Sequence, residues 1–418
     1  MNIKISTSDG RLYSSGTGWI AGFLLLACLL TYRSFETSYV FYISWVSMLA
    51  LTAFFIFLVS SKLNIDKLII KIFFVVFCYF LVGLILLPFS HDNLEHLKIL
   101  IISTFYMCSS SIFSSLLLKS KLNFRGYTYL TLIVWVLVNS ILLGMFFLDL
   151  YVPVKKDFSG VFHDRNVFSI TTLLVMVFSY GFYSNFNVSR LYACIFYLSI
   201  SLCCMMIVIS KSITGLTGLF LLLGLYALRL DRFKQVLMLI LILFLFSLII
   251  FTDNPLIERI ERFVIAITGE SDLLRQNESA FLRLYLIESG IKLVMDYPFT
   301  GMGINNAKDF VIWPLRETGS FLHNTYLDIL TGGGVILFSV YYLPIFVSLY
   351  WLLKNKYKVW LLLDSHSRSL WMQAVGFLLL KLMYDLTWTT YFEFYMSFSV
   401  IFSIYITLFL KDKLVLKK

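Results

Sequence analysis

Apolar runs long enough to cross a membrane recur along almost the whole chain, each separated from the next by a polar loop. They cover 17–32, 39–60, 68–89, 99–118, 127–148, 167–183, 191–209, 213–228, 236–251, 325–350, 370–388 and 394–410. A spanning helix needs about 20 apolar residues, because in hydrocarbon every backbone N–H and C=O must find its partner within the protein. The pattern predicts an all-α polytopic membrane protein, with about 12 transmembrane helices in a single integral membrane domain over 1–418. The first run follows Lys4 and Arg11 as a signal sequence would. No small-residue cleavage site precedes Arg33, so an uncleaved first helix is expected.

Two interruptions are longer than a simple connection: a loop at 149–166, and a large one at 252–324 between predicted helices 9 and 10. Within the large loop, 273–296 mixes Arg275, Glu278, Arg283, Glu288 and Lys292 with apolar residues at helical spacing. That spacing predicts one or two amphipathic helices lying over the membrane face. Asp296-Tyr297-Pro298 ends the pattern, and Gly301-Met302-Gly303 reads as a turn.

Composition agrees with the pattern: 59% of residues are hydrophobic and 14% charged, and the mean hydropathy is +0.85. This excludes a water-soluble fold, in which about a quarter of residues are charged. The net charge of +10 is not read as a nucleic-acid footprint, because Lys and Arg gather in alternate loops. Those loops hold Lys62/Lys67, Lys119/Lys121/Arg125, Arg190, Arg229/Arg232/Lys234 and Lys354/Lys356/Lys358/Arg368, and the tail adds Lys411, Lys413, Lys417 and Lys418. By the positive-inside rule both termini are then cytoplasmic, and the loops at 149–166 and 252–324 lie on the extracytoplasmic side. The expected partner is the lipid bilayer. All six cysteines lie in apolar runs, which leaves a disulfide framework or a thiolate metal site without support.

The order Arg283…Tyr297-Pro298-Phe299-Thr300-Gly301-Met302-Gly303…His323-Asn324-Thr325-Tyr326-Leu327…Gly332-Gly333-Gly334 resembles the superfamily of bacterial O-antigen ligases and O-antigen or capsule repeat-unit polymerases. In that superfamily an Arg opens an amphipathic loop helix, a P-[LF]-x-G-x-G turn follows, and a His-Asn pair begins the next membrane helix. The stretch Gly160-Val161-Phe162-His163-Asp164-Arg165-Asn166 is similar to its G-x-F-x-x-x-N element. The resemblance implies glycosyl transfer from an undecaprenyl-pyrophosphate-linked glycan, as donor and acceptor, outside the bacterial inner membrane and without a nucleotide sugar, metal or other cofactor. It further implies a chain-length regulator as a partner.

The residues suit that chemistry. An attacking sugar hydroxyl must lose a proton, and His323, at the expected water interface, is a suitable base. The departing pyrophosphate needs fixed positive charge, for which the bidentate fork of Arg283 is matched. A second cation is expected where family members carry S-x-S-R. Here the chain reads Ser210-Lys211-Ser212-Ile213, leaving Lys211 or Arg165 for that role. Asn166 and Asn324 are candidate substrate ligands, Asn324 equally a helix N-cap. Arg259, Arg262, Arg275 and Arg316 are read as solvated residues of amphipathic helices.

Other polar groups invite blander readings. His163/Asp164 and His91/Asp92/Glu95/His96 are read as loop polarity, since His91 and His96 are five apart and share no helix face. Lys381 and Asp385, at i and i+4 inside a predicted span with Glu393 near its outer end, read as a structural ion pair. Gly215, Gly218 and Gly332–Gly334 are expected to let helices pack closely.

Three functions compete. Ligases of the superfamily tend to show H-[NSQ]-x9-G-x2-[GTY]; His323-Asn324 and Gly334 keep that spacing, but Leu337 stands at the closing position. This favours the polymerase, although the R-x10-G element of some polymerases lands on Val294 when counted from Arg283. The third reading, a lipid-linked oligosaccharide flippase, lacks a pair of Gly/Pro-broken helices repeated in two halves.

Overall fold

The structure, a computed structural model, describes residues 67–119, 121–148, 150, 158–159, 164–183, 190–227, 278–311, 321–388 and 393–417. The expected spans 17–32, 39–60 and 236–251 lie outside the described residues, as does His163. All regular structure among the described residues is helical: α1 (Lys67–Leu86), α2 (Asn93–Lys119), α3 (Lys121–Phe147), α4 (Arg165–Tyr183), α5 (Arg190–Ile209) and α6 (Ile213–Ala227). There follow α7 (Glu278–Asp296), α8 (Ala307–Phe310), α9 (Thr325–Lys354), α10 (Lys356–Leu362), α11 (Ser365–Asp385) and α12 (Phe394–Val415). A 3-10 turn, Leu87–Phe89, extends α1. Each expected span that falls on described residues coincides with one of these helices.

Among the described residues, four helical stretches are long and apolar enough to cross a membrane: Lys67–Phe89, Asn93–Ser115, Thr128–Phe147 and Thr325–Lys354. The first shows why. One face of α1 buries Ile69, Ile72, Val76, Tyr79 and Leu86, while Ile70, Phe74, Phe77, Leu81 and Ile85 form an exposed apolar stripe at helical spacing. A helix apolar on all sides suits a bundle surrounded by lipid. By contrast α4, α11 and α12 are the centre of the bundle, with 167–179, 369–378 and 395–407 buried without interruption. Their surroundings are protein, so they tolerate more Ser, Thr and charge than the lipid-facing helices.

Small hydroxyl residues let these helices approach. Along α2, Ser110, Ser111 and Ser114 donate to the carbonyls of Tyr106, Met107 and Ser110 at 2.6, 2.8 and 2.7 Å. On α12, which packs along α2, Ser403 and Thr407 do the same to Ser399 and Ser403. Gly215 and Gly218 fill the packing role expected of them. A Cβ on Gly215 would meet Ser169 at 2.4 Å, and one on Gly218 would meet Leu173 at 2.6 Å.

The triplet at 332–334 does something different. Helix α9 breaks there, with Gly333 at φ −145°, ψ 16° and Gly334 at φ +60°, ψ −165°. Segment 298–304 lies in the gap and completes its hydrogen bonds. Met302 N donates to Thr331 O at 2.8 Å, Gly303 N to Gly332 O at 2.9 Å, and Val335 N to Pro298 O at 2.9 Å. Gly334 is required: its conformation is essentially confined to glycine, and a Cβ would stand 2.1 Å from Phe299 O. The expected turn at Gly301 and Gly303 is present, both at positive φ, and its backbone bonds to a broken helix.

The same segment docks on the α1–α2 turn. His91 N donates to Met302 O at 2.8 Å, and Asn306 Nδ2 donates to Ser90 Oγ at 2.7 Å. Glu95 accepts from Asn305 Nδ2 at 2.6 Å and Lys308 Nζ at 2.8 Å. Fully buried His96 accepts from Ile304 N through Nδ1 at 3.0 Å and reaches Gly83 O through Nε2 at 3.0 Å. A carbonyl only accepts, so the Nε2–H tautomer is the one that satisfies both contacts. The reading of Glu95 and His96 as loop polarity is therefore corrected: they form the seat of the loop.

Amphipathic α7 falls within the stretch where such a helix is expected. Its Leu286 joins Met302, Ala307, Val311 and Leu322 in a small hydrophobic core distinct from that of the main bundle, with Leu282, Tyr285, Leu293 and Leu327 packed around it. Segment 298–304, α7 and the start of α9 thus share one core.

Candidate active site

Five chain segments converge at one end of the bundle. At the start of α4, Asp164 Oδ1 caps the helix by accepting from Asn166 N at 2.7 Å and Val167 N at 3.3 Å. Asn166, one residue past Arg165, is fixed on both sides. Its Oδ1 accepts from Ser212 Oγ at 2.7 Å, and its carbonyl accepts from Tyr384 OH at 3.3 Å. Ser212 in turn accepts from Gly215 N at 3.0 Å, capping α6, and Ser210 Oγ lies 2.9 Å from Ser169 Oγ. Lys211 sits in that tight α5–α6 turn, half-buried and at φ +53°. The start of α4 and the Ser-Lys-Ser turn therefore form one surface carrying both Arg165 and Lys211.

Arg283, in the first turns of α7, is half-buried. Burial pushes its guanidinium down from the ordinary arginine value, and the Asp164 carboxylate opposes that shift. Arginine remains protonated under any ordinary condition, so this is a cation in a partly dehydrated place with Asp164 in electrostatic range. Such a cation attracts an incoming anion more strongly than one in open water.

His323 precedes α9 at φ +51°. A positive φ is uncommon outside glycine, though His tolerates it better than most. Its ring lies against that of Trp388, centroids 5.1 Å apart and planes tilted 45°. Asn324 is the N-cap of α9, accepting from Leu327 N at 3.1 Å, and its amide donates to Leu386 O at 3.4 Å. Thr325 Oγ1 donates to Trp388 O at 2.6 Å, and Tyr326 OH to Leu382 O at 2.9 Å. The start of α9 is thereby fastened to the end of α11. Because Tyr384 on α11 also holds Asn166, the end of α11 joins the His323 side to the Arg165/Lys211 side.

One turn deeper, Lys381 and Asp385 form a fully buried ion pair on α11. Tyr342 OH donates to Asp385 Oδ2 at 2.8 Å, and Lys381 lies 5.2 Å from the Tyr341 ring centroid. Carboxylate, ammonium and two tyrosines satisfy one another, as the structural reading of this pair requires.

Arg165, Asn166, Lys211, Arg283, His323 and Asn324 all belong to this one assembly. Asp164, read from the sequence as loop polarity, belongs to it as well, as do Tyr384 and Trp388, which the sequence does not single out. Asp164 lay inside a recognised motif, but a Tyr and a Trp near the end of a span look like any interfacial pair. Among the described residues, no group of three or more His, Cys, Asp or Glu could hold a metal ion.

No curated protein matches the chain. Residues 196–342, which run from within α5 to the far half of α9 and include Lys211, Arg283, His323 and Asn324, match the family model described as O-Antigen ligase. Over these residues the chain is similar to the O-antigen ligase family.

Proposed function

We propose that the protein is a glycosyltransferase of the bacterial inner membrane that polymerises undecaprenyl-pyrophosphate-linked repeat units into O-antigen or capsular polysaccharide. The observation that carries this reading is the convergence of a base, His323, with Arg283, Arg165 and Lys211 at one end of an apolar bundle. Both termini are cytoplasmic, and this end faces the opposite side, where loops 149–166 and 252–324 emerge. A chain-length regulator is a further partner of the protein.

In the transfer step a hydroxyl oxygen of the acceptor repeat unit bonds to the anomeric carbon of the growing chain. The bond from that carbon to pyrophosphate breaks, and the electron pair leaves with the phosphate oxygen. His323 takes the hydroxyl proton as the new bond forms. Arg283 holds the pyrophosphate as its charge grows, and Arg165 or Lys211 supplies the second positive charge. Asn166 and Asn324 hold the start of α4 and the start of α9 in place, so their influence on substrate is through those helices. Polymerase is preferred to ligase because Leu337 stands where the ligase pattern closes on Gly, Thr or Tyr.

The test is a gene deletion in the native host, complemented with wild type or His323→Ala. Deletion should leave a surface glycan of one repeat unit where a ladder stood, and wild type should restore the ladder. His323→Ala should reach the membrane and fail, because losing a general base costs about 10²–10⁴ in rate. A bare lipid A core with long polymer stranded on the polyprenyl carrier would identify a ligase instead.

A further inference from the structure

We propose that Trp388 is the platform on which the acceptor saccharide stacks, holding one sugar hydroxyl beside His323. This rests on the glycosyl-transfer reading of the site and adds to it the residue that binds the acceptor. The two rings are adjacent, 5.1 Å between centroids. Their relative position is set by backbone bonds: Thr325 Oγ1 to Trp388 O at 2.6 Å, Asn324 Nδ2 to Leu386 O at 3.4 Å, and Trp388 N to Tyr384 O at 2.9 Å. An indole so fixed loses little freedom when a ligand arrives, and pre-organisation of this kind is what makes a contact favourable.

The indole nitrogens separate Trp388 from two of its counterparts in the bundle. Trp135 Nε1 donates to Thr172 Oγ1 at 3.2 Å, and Trp371 Nε1 donates to Leu352 O at 2.8 Å, both rings being buried. A buried indole finds a partner for its N–H. Trp388 is half-buried: part of its ring packs on the main core, and its Nε1 has no hydrogen-bond partner among the described residues. It thus offers an apolar surface and a donor at its edge. A pyranose is complementary, with C–H bonds on its faces and hydroxyls around its rim. The C–H groups meet the electron-rich face of the indole, and a rim hydroxyl then falls at the neighbouring imidazole. Holding the reacting hydroxyl there makes proton removal effectively unimolecular. A tryptophan serving only to anchor the helix at the membrane surface would bind headgroups and have no bearing on acceptor affinity.

The donor for the test is lipid-linked repeat unit extracted from the deletion strain, and the acceptor is labelled repeat-unit oligosaccharide released from that lipid by mild acid. Incorporation is followed against acceptor concentration with protein in lipid nanodiscs, and thermal stability is measured alongside. Trp388→Leu should raise the acceptor KM at least about tenfold and lower kcat, leaving donor KM within about threefold, whereas Trp388→Phe, which keeps an aromatic face, should stay within about threefold of wild type in all three. Quenching of tryptophan fluorescence by the same oligosaccharide supplies a readout that survives poor folding of the Leu variant: it should saturate in wild type and disappear in Trp388→Phe. An unchanged acceptor KM in Trp388→Leu, or quenching that persists in Trp388→Phe, would overturn the platform while leaving the transfer reading intact. If wild type incorporates no labelled acceptor but still extends the lipid-linked unit, the platform fails alone; if it does neither, the transfer reading fails and the platform with it.

Discussion

Replacing Gly334 by alanine should disable the enzyme from a position inside a helix, away from any group that touches substrate. At φ +60° and ψ −165°, a side chain brings backbone strain of about 1–3 kcal/mol. The new Cβ would also lie 2.1 Å from Phe299 O and 2.2 Å from Phe299 C. These are backbone atoms that cannot rotate away, so segment 298–304 must withdraw. The bonds at Thr331 O and Gly332 O, between buried residues, then lose their partners, at about 1–3 kcal/mol for each buried group left unpaired. The total is on the order of 3–9 kcal/mol, comparable with the whole stability of an ordinary domain. The start of α9 and α7 share a core with this segment, so His323 and Arg283 shift together, and a displacement of about 1 Å can cost about 10²-fold in rate. The assay is incorporation of lipid-linked repeat units in nanodiscs, with thermal unfolding measured alongside. Gly144→Ala is the control, because nothing lies within 4 Å of a Cβ there and alanine favours a helix interior by about 1 kcal/mol. If Gly334→Ala retains transfer and stability indistinguishable from Gly144→Ala, the insertion of 298–304 into α9 does not hold the site.

Three further sets of substitutions probe the charges. Arg283→Lys should lose nearly as much transfer as Arg283→Ala, since a point charge does not replace a bidentate fork on pyrophosphate; full activity with Lys would reduce the requirement to charge alone. Lys211→Ala and Arg165→Ala should differ, the true second cation weakening transfer while loss of the other leaves it unchanged, and equal effects would refute the idea of one dominant partner. Lys381→Met should destabilise by about 3–5 kcal/mol because it leaves Asp385 buried without its counter-ion, while the double variant Lys381→Met/Asp385→Leu should recover most of that loss. A single variant that unfolds like wild type would show that Asp385 is held neutral.

Much of this architecture is legible in the pattern of apolar residues because lipid and protein interior make the same demand. A residue facing either must be apolar, so every expected span with described residues is a helix, whichever surroundings it meets. What hydropathy does not reveal is depth: the less apolar α11 and α12 are central, and apolar α1 turns a stripe of large side chains outward. Arg283 and His323 are singled out only through a motif. The purpose of that motif's glycines was not found, because segment 298–304 recognises α9 by backbone N–H and C=O groups, which every residue except proline carries in full. His96 was passed over for a related reason. Its partners are a carbonyl at Gly83 and an N–H at Ile304, and neither contributes a side chain that would mark the pairing.

The seat on the α1–α2 turn also orders events during synthesis. His96 and Ile304 are 208 residues apart, and Ser90 and Asn306 are 216 apart. At about 5–20 residues per second, the seat leaves the ribosome roughly 10–40 s before the segment that occupies it. The His96 ring is thus made well before the N–H that it accepts, in a helix apolar enough to insert. The gap in α9 has the opposite history, because 298–304 is translated just ahead of the helix it completes. By order of synthesis, 298–304 therefore finds the distant seat already made and the gap in α9 still to come.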